Sequence, residues 1–294
     1  MIVKMESDSW NTVPTTNIQQ KLLEDIERGD VIFLPHLKFD LLPLEQKFLT
    51  ADCADPKSKN ISFDIQTSIL RGSQCESSDL VQLQEMMTRF ASHARKLIDS
   101  FFPPYQESLH WGRTSFRPMA VEGRKVASYR KDDTRIHVDS FASRPVQGLR
   151  LLRVFSNINP IHPRIWKLGE PFESVASRFL PQIHHKQWIS PRILQKLGIT
   201  KGIRSPYDHL MLQIHDTMKG DIAYQQMVPT QEFSFPSGSS WIVMTDKVSH
   251  AALAGQFILE QTFYLPVEAM QQPDQSPLRI LEKMAGRPLV SNKC

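Results

Sequence analysis

The spacing of apolar residues changes near residue 104. From Ser77 to Phe102, apolar positions recur at helical intervals, and Ser78 and Asp79 stand where a helix cap is expected. Pro103-Pro104 ends the pattern, because proline cannot continue a helix. The spacing predicts a long helix within an N-terminal extension, residues 1–104, that packs on the rest of the chain.

Beyond residue 104 the apolar strings become short and partly alternating, which is typical of strands. They predict helices at 205–218 and 276–286, and strands at 125–129, 135–139, 148–158, 240–244 and 256–264. The regular alternation of strand and helix that a parallel sheet requires is missing. Residues 105–294 are therefore predicted to form a single structural unit, mainly β with helices, as a sandwich or barrel.

Composition narrows the class of protein. The 294 residues are 40% hydrophobic and 22% charged, as in an ordinary globular protein. The net charge of +4 is too small to indicate a nucleic-acid partner, although it permits an anionic substrate or a membrane surface. The chain has three cysteines, Cys53, Cys75 and Cys294, and no two of them form a C-x-x-C pair. This argues against a disulfide framework or a structural zinc site. The polar start of the chain and the lack of a long apolar run lead us to expect a cytoplasmic protein.

The chemistry centres on the sequence His137-Val138-Asp139, the single His-x-Asp/Glu in the chain. Alternate residues of a strand share a face, so both side chains could hold one metal ion. His250 follows the strand predicted at 240–244 and a turn. Two histidines and a carboxylate form the facial triad that leaves positions open on Fe(II). The alternative is a surface histidine beside an exposed aspartate.

The order and context of these three residues resemble the Fe(II)/2-oxoglutarate-dependent oxygenases. The runs 111–160 and 235–266 resemble more closely the Kdo 3-hydroxylase family, above all in 135–139, 148–160 and 249–263. The resemblance implies a double-stranded β-helix (jelly-roll) core, with His137, Asp139 and His250 as iron ligands. It also implies the cosubstrates 2-oxoglutarate and O2, and hydroxylation of the Kdo sugar of lipid A–inner core lipopolysaccharide at the 3-position.

The distal carboxylate of 2-oxoglutarate needs a buried cation. Many oxygenases of this kind carry one about ten residues after the second histidine, but this chain has no Lys or Arg between His250 and Arg279. Other branches place the cation on the strand after His-x-Asp, where Arg150 and Arg153 stand. Only one of the two can point inward, and we favour Arg153, with Arg150 in reserve and Tyr129 as a hydroxyl donor. Gln261 and Thr262 are weaker candidates.

The expected partner is a Kdo-containing lipid A precursor, reached through peripheral contact with the cytoplasmic face of the inner membrane. Asn157 and Asn159 could bind sugar hydroxyls or cap a turn. Two alternatives stay open: a 2-oxoglutarate oxygenase acting on a protein side chain or small metabolite, and a non-catalytic jelly-roll binding protein. No feature indicates an oligomeric state. An anionic substrate would suit the basic residues near the metal strand, unless they form a solvated face: Arg113, Arg117, Arg124, Lys125, Arg130, Lys131, Arg135 and Arg144.

Overall fold

The computed structural model describes residues 1–56, 58–124, 126–183 and 190–291. Its helices are α1 (Thr16–Arg28), α2 (Ser77–Phe101), α3 (Phe172–Phe179), α4 (Pro191–Lys196), α5 (Pro206–Gly220), α6 (Ile222–Met227) and α7 (Pro277–Ala285). Its strands are β1 (Ile2–Lys4), β2 (Val31–Leu34), β3 (Ile61–Asp64), β4 (Ile69–Arg71), β5 (His110–Arg117), β6 (Arg150–Asn157), β7 (Arg164–Leu168), β8 (Gln231–Phe235), β9 (Ser240–Met244), β10 (His250–Ala254) and β11 (Ile258–Leu265).

The described strands form two sheets. The larger has the order β1-β2-β9-β6-β11-β5-β3-β4, and the smaller has the order β10-β7-β8. All neighbouring strands are antiparallel except β1 and β2. The inner faces of the two sheets pack against each other through apolar side chains. This arrangement is the predicted double-stranded β-helix with helices.

Aromatic side chains fill part of the space between the sheets. Trp241 of the large sheet stacks on Phe155, with ring centroids 5.1 Å apart, and on Phe235 of the small sheet at 4.0 Å. Trp166 of the small sheet meets Trp241 edge-on at 5.6 Å. Such bulky, fully desolvated rings hold the two sheets at a fixed separation. The remaining space between the sheets is a polar cavity.

Helices cover the outer face of the large sheet. Helix α2 contacts β5 and β11, and its inward side chains are all buried: Leu83, Met86, Met87, Phe90, Ala91, Ala94, Leu97, Ile98 and Phe101. They follow the helical spacing seen in the sequence, so the predicted long helix is confirmed. It ends at Phe101, just before the paired prolines.

The N-terminal segment contributes strands as well as helices to this architecture. Strand β2, in which every residue is buried, pairs with β9, and β3 pairs with β5. Strands β1 and β4 extend the same sheet at its two edges. A division at residue 104 therefore does not separate a helical extension from a β core.

The strands predicted at 148–158, 240–244 and 256–264 and the helices at 205–218 and 276–286 are confirmed as β6, β9, β11, α5 and α7. The strand predicted at 125–129 is wrong: Lys125 lies outside the described residues, and Tyr129–Lys131 form a 3-10 turn. The stretch 135–139 makes only an isolated bridge at His137 rather than a strand. Within the described residues, no helix is long and apolar enough to cross a membrane.

Candidate active site

His137 and His250 are held side by side by backbone hydrogen bonds. The His137 amide donates to the His250 carbonyl at 3.0 Å, and the His250 amide donates back at 2.8 Å. Directly paired residues of antiparallel segments point to the same side, and the two ring centroids lie 4.8 Å apart. The Asp139 amide donates to the carbonyl of Thr245 at 2.8 Å. These bonds bring residues distant in sequence to one point between the sheets.

The three side chains form a compact set of metal-ligating atoms. One nitrogen or oxygen from each of His137, Asp139 and His250 lies within 4.8 Å of the others. The Nδ1 atoms of His137 and His250 lie 2.7 Å and 2.8 Å from the carbonyl oxygens of Arg135 and Val248. A carbonyl oxygen only accepts, so each Nδ1 carries the proton and each Nε2 presents a lone pair. This is the tautomer that a metal-binding histidine needs.

The protonation states also suit a divalent metal. Burial lowers the pKa of His137 to about 4, despite the opposing effect of Asp139, and burial lowers the pKa of His250 as well. Burial acts to raise the pKa of Asp139, but Arg153, His137 and His250 together outweigh it and hold that pKa well below its usual range. At neutral pH the site therefore consists of two neutral imidazoles and one carboxylate.

One oxygen of this set lacks a hydrogen bond. Asp139 Oδ2 is buried without a hydrogen-bond partner, although Arg153 Nη1 lies 2.9 Å away and pairs with it electrostatically. An unsatisfied carboxylate oxygen beside two imidazole lone pairs fits a metal ion. Three protein ligands that face a cavity leave positions for other ligands, as in facial-triad Fe(II) sites.

The triad opens into a cavity of about 260 Å³ between the sheets, and its charged lining residues are mostly compensated. Lys59 pairs with Asp133, and Arg117 pairs with Glu260. Arg153 lies between Asp139 and Glu260, with its Nη1 3.3 Å from Glu260 Oε1. These pairs leave little free charge on this part of the wall.

Arg164 of β7 is the exception among the cavity-lining arginines. It is only 5% exposed, and no carboxylate of the described residues forms an ion pair with it. Its Nη1 donates to the carbonyl of Gly255 at 3.0 Å, while its Nε has no partner. Burial, reinforced by Arg117, lowers the pKa of Arg164 to about 9, so the side chain is still a cation at neutral pH. A buried cation without a partner calls for an anion.

Comparison with known proteins places this site in a family. A model of the 3-deoxy-D-manno-oct-2-ulosonic acid (Kdo) hydroxylase family matches residues 9–288. This chain belongs to the Kdo hydroxylase family. A search of curated protein sequences gave no match.

Solved structures of a Kdo hydroxylase, KdoO, described as a non-heme Fe(II) alpha-ketoglutarate-dependent dioxygenase, are similar over the whole chain. The cobalt(II) complex is 46% identical with a TM-score of 0.96, and the complex with alpha-ketoglutarate (2-oxoglutarate) and Fe(III) is 45% identical with a TM-score of 0.96. The complex with succinate and Fe(III) is 46% identical with a TM-score of 0.95. Each comparison covers 100% of this chain and 98% of the other.

The structure places the three residues that we predicted to bind 2-oxoglutarate in different environments. Arg153 lines the cavity beside the triad. Arg150 does not line this cavity: it is fully buried, and its Nε donates to Asp246 Oδ2 at 2.6 Å. Tyr129 is also absent from the cavity lining and is partly exposed, in a turn next to Gly220. Of the three, only Arg153 is placed to touch a ligand in the cavity.

The weaker candidates have structural contacts. Gln261 accepts a hydrogen bond from Thr114 Oγ1 at 2.6 Å, and Thr262 donates to Glu260 at 3.3 Å. Asn157 and Asn159 hold the turn after β6: Asn157 Nδ2 donates to the carbonyls of His162 and Phe235, and Asn159 Oδ1 accepts from two backbone amides. These contacts match the turn-capping alternative for the asparagines.

The predicted basic group divides in two. Arg117, Arg124, Arg130 and Arg135 each pair with a carboxylate. Arg113 and Arg144 form no ion pair in the described part of the chain, while Lys125 lies outside it. Lys131 likewise forms no ion pair with a described residue, so four of the seven described members of the group are compensated by neighbouring acids.

Sequence reasoning missed Arg164 and Trp166. Trp166 stacks on the His250 ring with centroids 4.9 Å apart and an interplanar angle of 23°, which fixes the orientation of that imidazole. The sequence contains a weak signal for both residues, because Arg164, Trp166 and Leu168 stand at alternate positions, as in a strand with one buried face. The structure confirms that all three are buried on β7. The run contains only five residues, and its pairing with β10 and β8 depends on distant segments.

Proposed function

We propose that this protein is an Fe(II)/2-oxoglutarate/O2-dependent hydroxylase of the Kdo sugar. The observation that carries the proposal is the His137–Asp139–His250 set, with both Nε2 lone pairs and one carboxylate converging on one cavity. Family membership and similarity to KdoO, which was solved with iron, alpha-ketoglutarate and succinate, support the same reaction.

His137, Asp139 and His250 would hold the iron, and Trp166 keeps the His250 ring in its orientation. Bound Fe(II), together with 2-oxoglutarate and O2, supplies the chemistry that places a hydroxyl on carbon. The protein binds and orients the reactants in the cavity between the two sheets. Arg153, at 2.9 Å from Asp139 Oδ2, acts with the two histidines to keep that carboxylate ionised and able to bind metal.

For the distal carboxylate of 2-oxoglutarate, we propose Arg164 rather than the predicted Arg153. Arg153 is already compensated by Asp139 and Glu260, whereas Arg164 lacks an acidic partner among the described residues. In the register of the small sheet, Leu168 is opposite His250, so Arg164 begins β7 four residues farther along the cavity wall. A dicarboxylate chelated at the triad would extend away from it toward this cation.

The finer substrate assignment is hydroxylation at the 3-position of Kdo in a lipid A–inner core precursor, at the cytoplasmic face of the inner membrane. Its support is the resemblance in sequence to Kdo 3-hydroxylases, together with the match to the Kdo hydroxylase family over residues 9–288. A 2-oxoglutarate oxygenase with another substrate and a non-catalytic binding protein are the alternatives that the experiments must separate.

The first test is an anaerobic titration of the metal-free protein with Fe(II) and then 2-oxoglutarate. We expect a weak visible charge-transfer band in the wild type and none in His137→Ala, because the variant lacks one imidazole ligand. Arg164→Met should raise the 2-oxoglutarate concentration needed for the band, and Arg153→Met serves as the comparison. Tight iron binding without a band would contradict the oxygenase proposal and favour a binding protein.

The second test addresses the substrate. Lipopolysaccharide from cells with and without the gene is compared by mass spectrometry, and the purified enzyme is incubated with a Kdo-containing lipid A precursor while succinate is measured. We expect one added oxygen on Kdo and an equal amount of succinate. Succinate formation without a modified Kdo would indicate an oxygenase that acts on a different substrate.

A further inference from the structure

A group of cations without ion-pair partners surrounds the loop that follows Asp139. Within the described residues, Arg71, Arg113, Arg144 and Lys201 lie within 4.0 Å of no carboxylate oxygen. Arg113 Nη1 donates to Ser62 Oγ at 2.9 Å, and Ser62 is opposite Arg71 in the β3–β4 pair. The Lys201 amide donates to the carbonyl of Ser143 at 2.8 Å, which places Lys201 next to Arg144.

These cations influence one another electrostatically. Repulsion from Arg144, with smaller effects from Arg113 and Arg71, lowers the pKa of Lys201, and Asp64 is the acid that opposes it. Arg113 is affected in the same way, first by burial and then by Arg144. Like charges held this close without paired acids are costly in a free protein, and an anionic partner relieves that cost.

An apolar surface adjoins the cations. Residues 190–204 contain no Asp or Glu but four basic residues, Arg192, Lys196, Lys201 and Arg204. Buried Leu194 and Thr200 fix this segment to the protein. Four large apolar side chains of the segment remain exposed: Ile193 at 50%, Leu197 at 67%, Ile199 at 54% and Ile203 at 44%. Isolated exposed apolar residues are common, but four within eleven positions form a patch.

We propose that this surface docks the protein on an anionic phospholipid bilayer. The docking face consists of the following residues: Arg71, Arg113, Arg144, Arg192, Ile193, Lys196, Leu197, Ile199, Lys201, Ile203 and Arg204. Exposed aliphatic side chains interleaved with cations that pair with no carboxylate of the described residues match the interfacial zone of such a bilayer, where the chains enter the headgroup layer and the cations meet lipid phosphates. Charge complementarity thus selects an anionic membrane.

The docking face lies next to the cavity. Arg204 Nη2 donates to the carbonyl of Ala142 at 2.6 Å, and Lys201 contacts Ser143, while the preceding residue Phe141 lines the cavity. Docking would therefore bring the loop between Asp139 and Arg144 to the membrane surface. The proposal deepens and rests on the proposed function in this respect, because a membrane-held lipid sugar must reach the cavity from the bilayer.

The test is co-sedimentation of the full-length protein with vesicles of phosphatidylcholine alone or mixed with phosphatidylglycerol. We expect binding to the mixed vesicles that weakens as salt is added. The variant K196Q/K201Q/R204Q should bind roughly a hundredfold more weakly, since each basic residue at an anionic surface contributes about fivefold. The matched control K21Q/K96Q/K283Q removes three exposed lysines of α1, α2 and α7 outside the docking face and should bind like the wild type.

A second variant, L197S/I199S, keeps every charge and removes apolar contact, so it should lose binding that the wild type retains at higher salt. The proposal is overturned if the wild type does not bind the mixed vesicles, or if the control variant loses as much vesicle binding as the triple variant.

The 2-oxoglutarate charge-transfer band, measured on each variant, reports separately on the active site. A wild type with the band but without vesicle binding refutes docking and leaves the hydroxylase proposal standing. Specific vesicle binding without the band supports docking and refutes the hydroxylase.

Discussion

Replacing Arg164 by methionine should have opposite effects on folding stability and on cosubstrate binding. In the free protein Arg164 has one hydrogen bond, to Gly255, and no acidic partner in the described chain. Losing that bond costs about 1 kcal/mol, but removing a buried, uncompensated charge relieves a desolvation penalty of several kcal/mol. We therefore expect the metal-free variant to be as stable as the wild type or more stable.

Arg150→Met is the matched comparison, because Arg150 is an equally buried arginine that has a partner. Its Nε and Nη2 lie 2.6 Å and 3.3 Å from the two oxygens of Asp246, which is itself buried. Removing Arg150 leaves that carboxylate buried and unpaired, which typically costs about 3–5 kcal/mol. The two substitutions are chemically identical, so their difference in stability isolates charge compensation.

For 2-oxoglutarate binding, Arg164→Met should have the larger effect and Arg150→Met the smaller one, the reverse of their effects on stability. Loss of a buried charge pair with the ligand costs about 2–5 kcal/mol, or roughly 30-fold to several thousandfold in Kd, for Arg164→Met. Arg150→Met should alter the affinity little, provided the protein is folded under the conditions of the titration. Urea unfolding of the metal-free proteins and anaerobic titration of the Fe(II) forms measure the two effects.

The reasoning is refuted if Arg164→Met is destabilised as much as Arg150→Met and still binds 2-oxoglutarate normally. If Arg153→Met loses the cosubstrate and Arg164→Met does not, Arg153 is the anchor, as the sequence pattern predicted.

Three further predictions concern the same site. Asp139→Asn should weaken Co(II) binding by more than about tenfold, as measured by visible spectroscopy. Asp133→Asn alters a cavity residue outside the triad and should not weaken it. Equal Co(II) affinities of the two variants would exclude Asp139 as a ligand. Gly255 has a φ of +111°, and an added Cβ would lie 2.9 Å from Arg164 Cα, so Gly255→Ala should lower the free energy of unfolding by about 1–3 kcal/mol and weaken 2-oxoglutarate binding. Gly123→Ala, with a φ of +71° and open space around it, is the control for backbone strain alone, and equal losses would show that contact with Arg164 is unimportant. Burial acts to raise the pKa of Glu260, but Arg117 and Arg153 hold it below 4.5, so the ionised carboxylate stabilises the folded protein above about pH 4.5 and this stability is lost as the pH falls through the lower folded pKa. Glu260→Gln should therefore flatten the pH dependence of the free energy of unfolding in this range, and an unchanged dependence would contradict the pairing.

Local periodicity was enough to predict much of the scaffold. Helix α2 follows from its apolar stripe and the prolines that end it, and β6, β9 and β11 follow from short apolar runs. His137, Asp139 and His250 could be selected because their types, order and strand context carry chemical meaning without coordinates. The segment at 135–139 was harder, since its single bridge depends on His250 rather than on local strand propensity.

By itself, then, the sequence determined the helical and strand segments with strong periodicity and the residues able to bind a metal, because both depend on neighbours along the chain. Only the tertiary structure decided how the arginines are used. Arg150, Arg153 and Arg164 all lie on buried strands, but one meets Asp246, one meets Asp139 and Glu260, and one meets no described carboxylate. Charge compensation depends on which acids lie nearby in space, and long-range strand pairing sets those neighbours.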